Sequence, residues 1–206
     1  MSEHKKFLNL AFFFGGLWGL AEATLGYLLH FLPTGFAGMI MFPVAFYLMF
    51  NLYKSTGVQS AVLMAGCIAA GIKLTGLAIP LQTPMSVINP AVSILLESLV
   101  IFVFVKSTAI RESVYIKTFA MATIHMGLFV LVQTLIFRPA EGLYLLSALP
   151  LVGYIILSGI VGSVILGSWL RNPLGNLSEY TQGLSILYPG LVIVAAILLE
   201  AGTRLI

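Results

Sequence analysis

The chain has 206 residues, 60% of them hydrophobic and only 8% charged, which excludes a soluble globular domain, where about a quarter of residues carry charge. Its formal charge of +3 comes from ten Lys and Arg scattered singly over connecting segments, without the basic patch of a nucleic-acid surface, so no nucleic-acid partner is expected. Cys67 is the single cysteine, which excludes an intrachain disulfide framework, and the whole reads as one all-α domain, a polytopic membrane helix bundle.

The first apolar run, Phe7 to Leu32, reaches about 39 Å at roughly 1.5 Å per residue, enough to cross a hydrocarbon core of about 30 Å with tilt. Basic residues precede it, but the run is too long for a signal peptide and has no clear small-residue cleavage site, so it is expected to remain in the mature protein. A second span follows from Gly35 to Tyr53 and a third from Val58 to Ile79. Pro80, Gln82, Pro84 and Asn89-Pro90 then make a breaker-rich, uncharged loop, and the Asn-Pro pair predicts the start of helix four, because Asn caps free N–H groups and Pro suits the first helical position. Helix four runs from 89 to about Val105, helix five from 115 to Phe137, and helix six from Leu143 to Leu170 with a kink expected at Pro150. A polar link leads to a seventh span, Leu187 to Leu205; a six-span plan stays open, because Arg204 then falls on the outer side. With the N-terminus in the cytoplasm, Lys5, Lys6, Lys54, Lys106, Arg111, Lys117 and Arg171 fall inside and only Arg138 and Arg204 outside, which predicts a multi-pass protein of the cell membrane in that orientation.

Ionisable residues inside spans are costly in lipid and mark binding or transport pathways by default. Glu22 and Lys73 each lie about fifteen residues along outward-running helices, roughly 22 Å up, and Asn89, Ser93 and Glu97 follow one another at i, i+4 on a single face of helix four. His125 lies near the middle of helix five, Gln133 two turns above it, and His30 near the top of helix one. Glu22, Lys73, Asn89, Glu97, His125 and Gln133 are therefore expected to line one pocket in the outer half. A structural Glu–Lys pair tying helices one, three and four together is the other reading of the same charges. The histidines are read as hydrogen-bonded rather than metal-bound, since no H-x-x-x-H spacing occurs, and Trp18, about one turn below Glu22, is read as core filling, with the floor of the pocket as the other reading. Trp169, Tyr53 and Tyr188 are expected at the membrane interfaces.

Asp is absent, as are H-E-x-x-H, G-x-S-x-G, a Walker A loop and a dinucleotide fingerprint, so no enzyme activity and no cofactor are expected. On helix one, Ala11, Gly15 and Gly19 recur every fourth residue and allow close approach of another helix. With its inside N-terminus, this small-residue stripe and the breaker-rich outer loop, the stretch from Phe7 to Leu170 resembles the substrate-binding S components of energy-coupling-factor vitamin transporters. The resemblance implies a six-helix core, a bound small polar metabolite or vitamin, and partners in a coupling transmembrane subunit and ATPases. It further implies docking of that subunit on Ala11, Gly15 and Gly19, and a lid that includes Gln82 to Asn89. The seventh span departs from that plan. Two alternatives stay open on the sequence: a stand-alone proton- or ion-coupled secondary transporter, and a non-catalytic structural membrane protein.

Overall fold

The computed structural model describes residues 3–29, 31–32, 36–79, 83–108, 114–138, 142–171 and 187–205. Among these residues there is no strand, and seven helices are long and apolar enough to cross a membrane. That outcome follows from the solvent: in hydrocarbon every backbone N–H and C=O must be satisfied internally, which a helix does within one segment.

Helix α1 (Glu3–Ala21) passes through a π turn (Glu22–Gly26) into a short helical end (Tyr27–Leu29). It is followed by α2 (Phe36–Thr56), α3 (Ser60–Leu74) with a 3-10 turn (Thr75–Ala78), and α4 (Pro84–Thr108). Then come α5 (Val114–Val132) with a second π turn (Gln133–Phe137), a 3-10 turn (Leu143–Leu145), α6 (Ala148–Arg171) and α7 (Leu187–Leu205).

Two expected breaks lie elsewhere. Helix four begins at Pro84, not Asn89, so Pro90 sits inside it and Asn89 is a helical residue rather than a cap. Pro90 has no N–H for the carbonyl four residues earlier, Ser86 O, and that oxygen instead faces the Arg204 guanidinium, with Nη2 3.5 Å away. Pro150 lies in the first turn of α6, where a helical N–H has no intrahelical acceptor, so the kink expected there is not needed; regular bonding begins with Leu151 N–H to Ser147 O at 3.1 Å. His30, Gln82 and Arg111 lie outside the described residues. Of the expected lid, Pro84 to Asn89 is the first part of α4 rather than a loop.

The spans alternate in direction. Gly15 and Gly19 of α1 meet Ala65 and Ile72 of α3, so those two run parallel. The pairs Gln59–Phe102 and Gly66–Ser98 show α3/α4 running antiparallel, Asn89–Gln133 and Ser93–His125 show the same of α4/α5, and Gly159–Phe119 and Gly167–Tyr115 of α5/α6. The end of the bundle where α1, α3, α5 and α7 terminate is called the upper end below. Phe14 and Trp18 of α1, Phe42 and Phe46 of α2 and Ile101 of α4 are fully buried in the main core. Just over half of α1's apolar stretch is buried against 17% of α7's, which makes α1 a central helix and α7 a peripheral one.

The small-residue stripe belongs to this interior. A Cβ at Gly15 would stand 2.8 Å from Ala65 O, one at Gly19 would stand 2.6 Å from Ile72 Cδ1, and Ala11 is fully buried. The docking role assigned to Ala11, Gly15 and Gly19 is corrected accordingly: α3 of the same chain already occupies that face, and a second helix has no access to it.

Candidate functional site

Two π turns frame the site. A π turn inserts one extra residue into a helix and turns the following side chains out of register, a distortion frequent at functional sites. Glu22 opens the first and Gln133 the second, and both side chains line the same cavity. The second turn closes on Arg138, whose left-handed backbone (φ 40°) lets its N–H reach Gln133 O at 2.7 Å, five residues back.

The cavity, about 340 Å³, lies in the upper half among α1, α2, α4 and α5. That is the lower end of the roughly 300–1,000 Å³ typical of small-molecule sites. Its polar wall is Glu22, Asn89, Ser93, Glu97, His125 and Gln133; apolar surface comes from Met41, Met126 and Phe129. Glu97 lies thirteen residues along α4 from Pro84, about 20 Å along its axis, so the cavity reaches the middle of the bundle. Gly142 helps to line the wall beside Gln133, where a Cβ would come within 3.2 Å of Oε1.

The hydrogen bonds at its depth form a short chain. Ser93 Oγ donates to Glu97 Oε1 at 3.2 Å, His125 Nε2 stands 3.4 Å from Ser93 Oγ and 3.6 Å from Glu97 Oε1, and Gln133 Nε2 donates to Asn89 Oδ1 at 3.2 Å. A serine has one hydroxyl proton, so where an ionised Glu97 receives it, Nε2 of the imidazole carries the hydrogen that faces Ser93 and Glu97, and Nδ1 is a bare acceptor. His125 is stacked on Phe42 at 5.0 Å between centroids, with Phe129 nearly parallel at 6.4 Å, which fixes the plane of the ring. Among the described residues, Glu97 Oε2, His125 Nδ1 and Gln133 Oε1 are buried without a hydrogen-bond partner. An unpaired buried polar atom ordinarily costs about 1–3 kcal/mol, so these three residues of the cavity lining carry the groups that water or a solute entering it would complete.

Of the six residues expected in one pocket, Glu22, Asn89, Glu97, His125 and Gln133 line this cavity; Lys73 does not. Lys73 Nζ lies 2.9 Å from Glu200 Oε2 on α7, and Glu200 Oε1 lies 2.6 Å from Arg204 Nε one turn later. The correction has a geometric cause. Lys73 is the next-to-last residue of α3, at the level where α7 ends, and in the 3-10 turn that follows, a Cβ at Gly76 would stand 3.0 Å from Arg204 Nε, so the glycine leaves room for Arg204. Glu22 remains in Coulombic range of Lys73 and Glu200, so it joins the cavity to this ionic cluster. Trp18 is fully buried in the main core rather than in the cavity wall.

Sequence reasoning missed Ser93 as a site residue and Glu200 altogether. Ser93 was legible as the middle member of the i, i+4 face between Asn89 and Glu97. Glu200 was legible as an acid four residues before Arg204 in an otherwise apolar span, the spacing at which a helix pairs such side chains. No protein-family model, no curated protein and no solved structure matches the chain.

Proposed function

We propose that the chain is a membrane-embedded solute-binding protein, the specificity subunit of an uptake system that draws its energy from a coupling transmembrane subunit and ATPases, in the manner of the energy-coupling-factor S components it resembles. The observation that carries this reading is the upper-half cavity lined by Glu97, His125 and Gln133, each of which carries a buried polar atom unpaired among the described residues. The solute is a small polar metabolite or vitamin that exchanges water for preorganised groups, with no covalent step. The N-terminus is cytoplasmic and the cavity serves the outer face of the cell membrane, because the excess of Lys and Arg lies on the lower connections. Arg204 at the upper end does not oppose this orientation: its charge is tied to Glu200 and is not a free loop charge.

The test is to purify the chain in lipid nanodiscs, identify any co-purified small molecule by mass spectrometry and measure its affinity. Gln133→Leu is expected to weaken binding by about tenfold or more, as the loss of a buried hydrogen-bonding group implies. Unchanged affinity in a folded variant removes the cavity as the binding site. Reconstituted alone, the chain is expected to bind solute without accumulating it under a proton gradient. Accumulation in that assay favours the second reading, a proton-coupled carrier, for which the specific observation is the buried Glu97–His125 contact at 3.6 Å.

A further inference from the structure

The cavity's polar groups restrict what the solute can be. Among the described residues its wall has two carboxylates, Glu22 and Glu97, and no Lys or Arg. The buried ionic side chains of the upper half divide unevenly. Glu200 faces two cations, Lys73 and Arg204, and Glu22 lies in Coulombic range of the first, whereas among the described residues Glu97 touches only Ser93 and His125 and its charged neighbour is a second carboxyl, Glu22. Glu97 is 1% exposed. With Glu97 ionised opposite a cation, the Ser93 proton on Glu97 and the His125 proton on Nε2, each unpaired atom is an acceptor: Glu97 Oε2, His125 Nδ1 and Gln133 Oε1. Such acceptors are complemented by a solute that brings N–H donors, and a carboxyl buried without a counter-charge is ionised only opposite a solute that brings positive charge.

Resting on the solute-binding reading above, we infer that the cavity takes a compact organic cation rich in N–H donors, an amidine- or amine-bearing ring, with its charged group on Glu97 Oε2 and a further donor reaching Gln133 Oε1. Phe129, which lines the cavity with its ring nearly parallel to that of His125, offers an aromatic surface to which a planar solute is suited. The same ring can also face the charge, as aromatic rings attract cations.

Three probes of one shape separate charge from fit: benzamidine (cation, N–H donors only), benzamide (neutral) and benzoate (anion, acceptors only). Binding of each to the full chain in nanodiscs is measured by calorimetry and by thermal shift. Benzamidine is expected to bind about tenfold or more tighter than benzamide, since hydrogen bonds to charged groups contribute about 1.5–3 kcal/mol and tenfold is about 1.4 kcal/mol. Benzoate is expected to bind weakest. In Glu97→Gln the preference for benzamidine over benzamide should disappear, while Glu97→Asp, which keeps the charge, should retain it. Equal binding of the three, a preference for benzoate, or binding by none overturns the inference, and none of these outcomes requires a folded variant. The two readings fail separately. A neutral or anionic co-purified solute whose affinity falls in Gln133→Leu sinks the cation inference and leaves the solute-binding function standing.

Discussion

The ionic cluster at the upper end gives an asymmetry that can be measured. Glu200 is 1% exposed at its side chain and serves two cations, at 2.9 Å and 2.6 Å, whereas Lys73 has only one hydrogen-bonded carboxylate. Removing one partner of a buried pair costs about 3–5 kcal/mol, because the other charge is left desolvated and unpaired. In Glu200→Gln two cations lose their counter-charge together. Glu22, in range of Lys73, and the Ser86 oxygens, 3.4 and 3.5 Å from the Arg204 guanidinium, offset part of this, so a loss of about 3 kcal/mol is expected. In Lys73→Met, Glu200 keeps Arg204, and the expected loss is about 1–2 kcal/mol. For a chain of this length 1 kcal/mol moves Tm by about 2–4 °C, so the two variants should differ by several degrees in nanodisc thermal unfolding. Lys73→Met/Glu200→Gln together should be more stable than Glu200→Gln alone, because the uncompensated ammonium is gone. A Lys73→Met loss as large as that of Glu200→Gln, or a double variant no better than Glu200→Gln, would refute the reasoning.

Two further outcomes follow from the packing. Gly15→Leu and Gly19→Leu should each lower the unfolding temperature of the isolated chain, by about 1–3 kcal/mol or more of stability, since their side chains meet Ala65 and Ile72 of α3; unchanged stability would return the stripe to the outer surface. Cys67, exposed midway along α3, should resist a water-soluble maleimide in bilayers and react with it after the chain is unfolded in detergent, because a thiol facing lipid is out of reach of a reagent confined to water; rapid labelling in the bilayer would place that face in water.

The seventh span shows how far the sequence reaches. Hydropathy and length locate all seven spans, including Leu187–Leu205, and the helical repeat puts Asn89, Ser93 and Glu97 on one face, because both properties depend only on local chain geometry. The same local logic misjudges Pro90 and Pro150. Asn-Pro is a sound start signal in water, but within the bundle the carbonyl that Pro90 leaves free faces Arg204 of a distant helix, and the helix extends one and a half turns further back.

Composition and hydrophobic pattern by themselves determined that this chain is an all-α membrane bundle and that its charged span residues needed partners, since the energy of a helix or a lone charge in hydrocarbon is a property of the segment. Which partner each found was decided only in three dimensions. Lys73 has carboxylates from α1 and α7 at similar heights, and the choice of Glu200 follows from the close approach of α7 at Gly76. The stripe on α1 is equally suited to an inner or an outer neighbour, and α3 takes it because the two helices run parallel at backbone contact. Glu22 and Gln133 line the cavity as their positions along the helices predict, but each opens a π turn that shifts the register of the residues after it, a displacement that no sequence periodicity records, because it arises from packing rather than from the order of the residues.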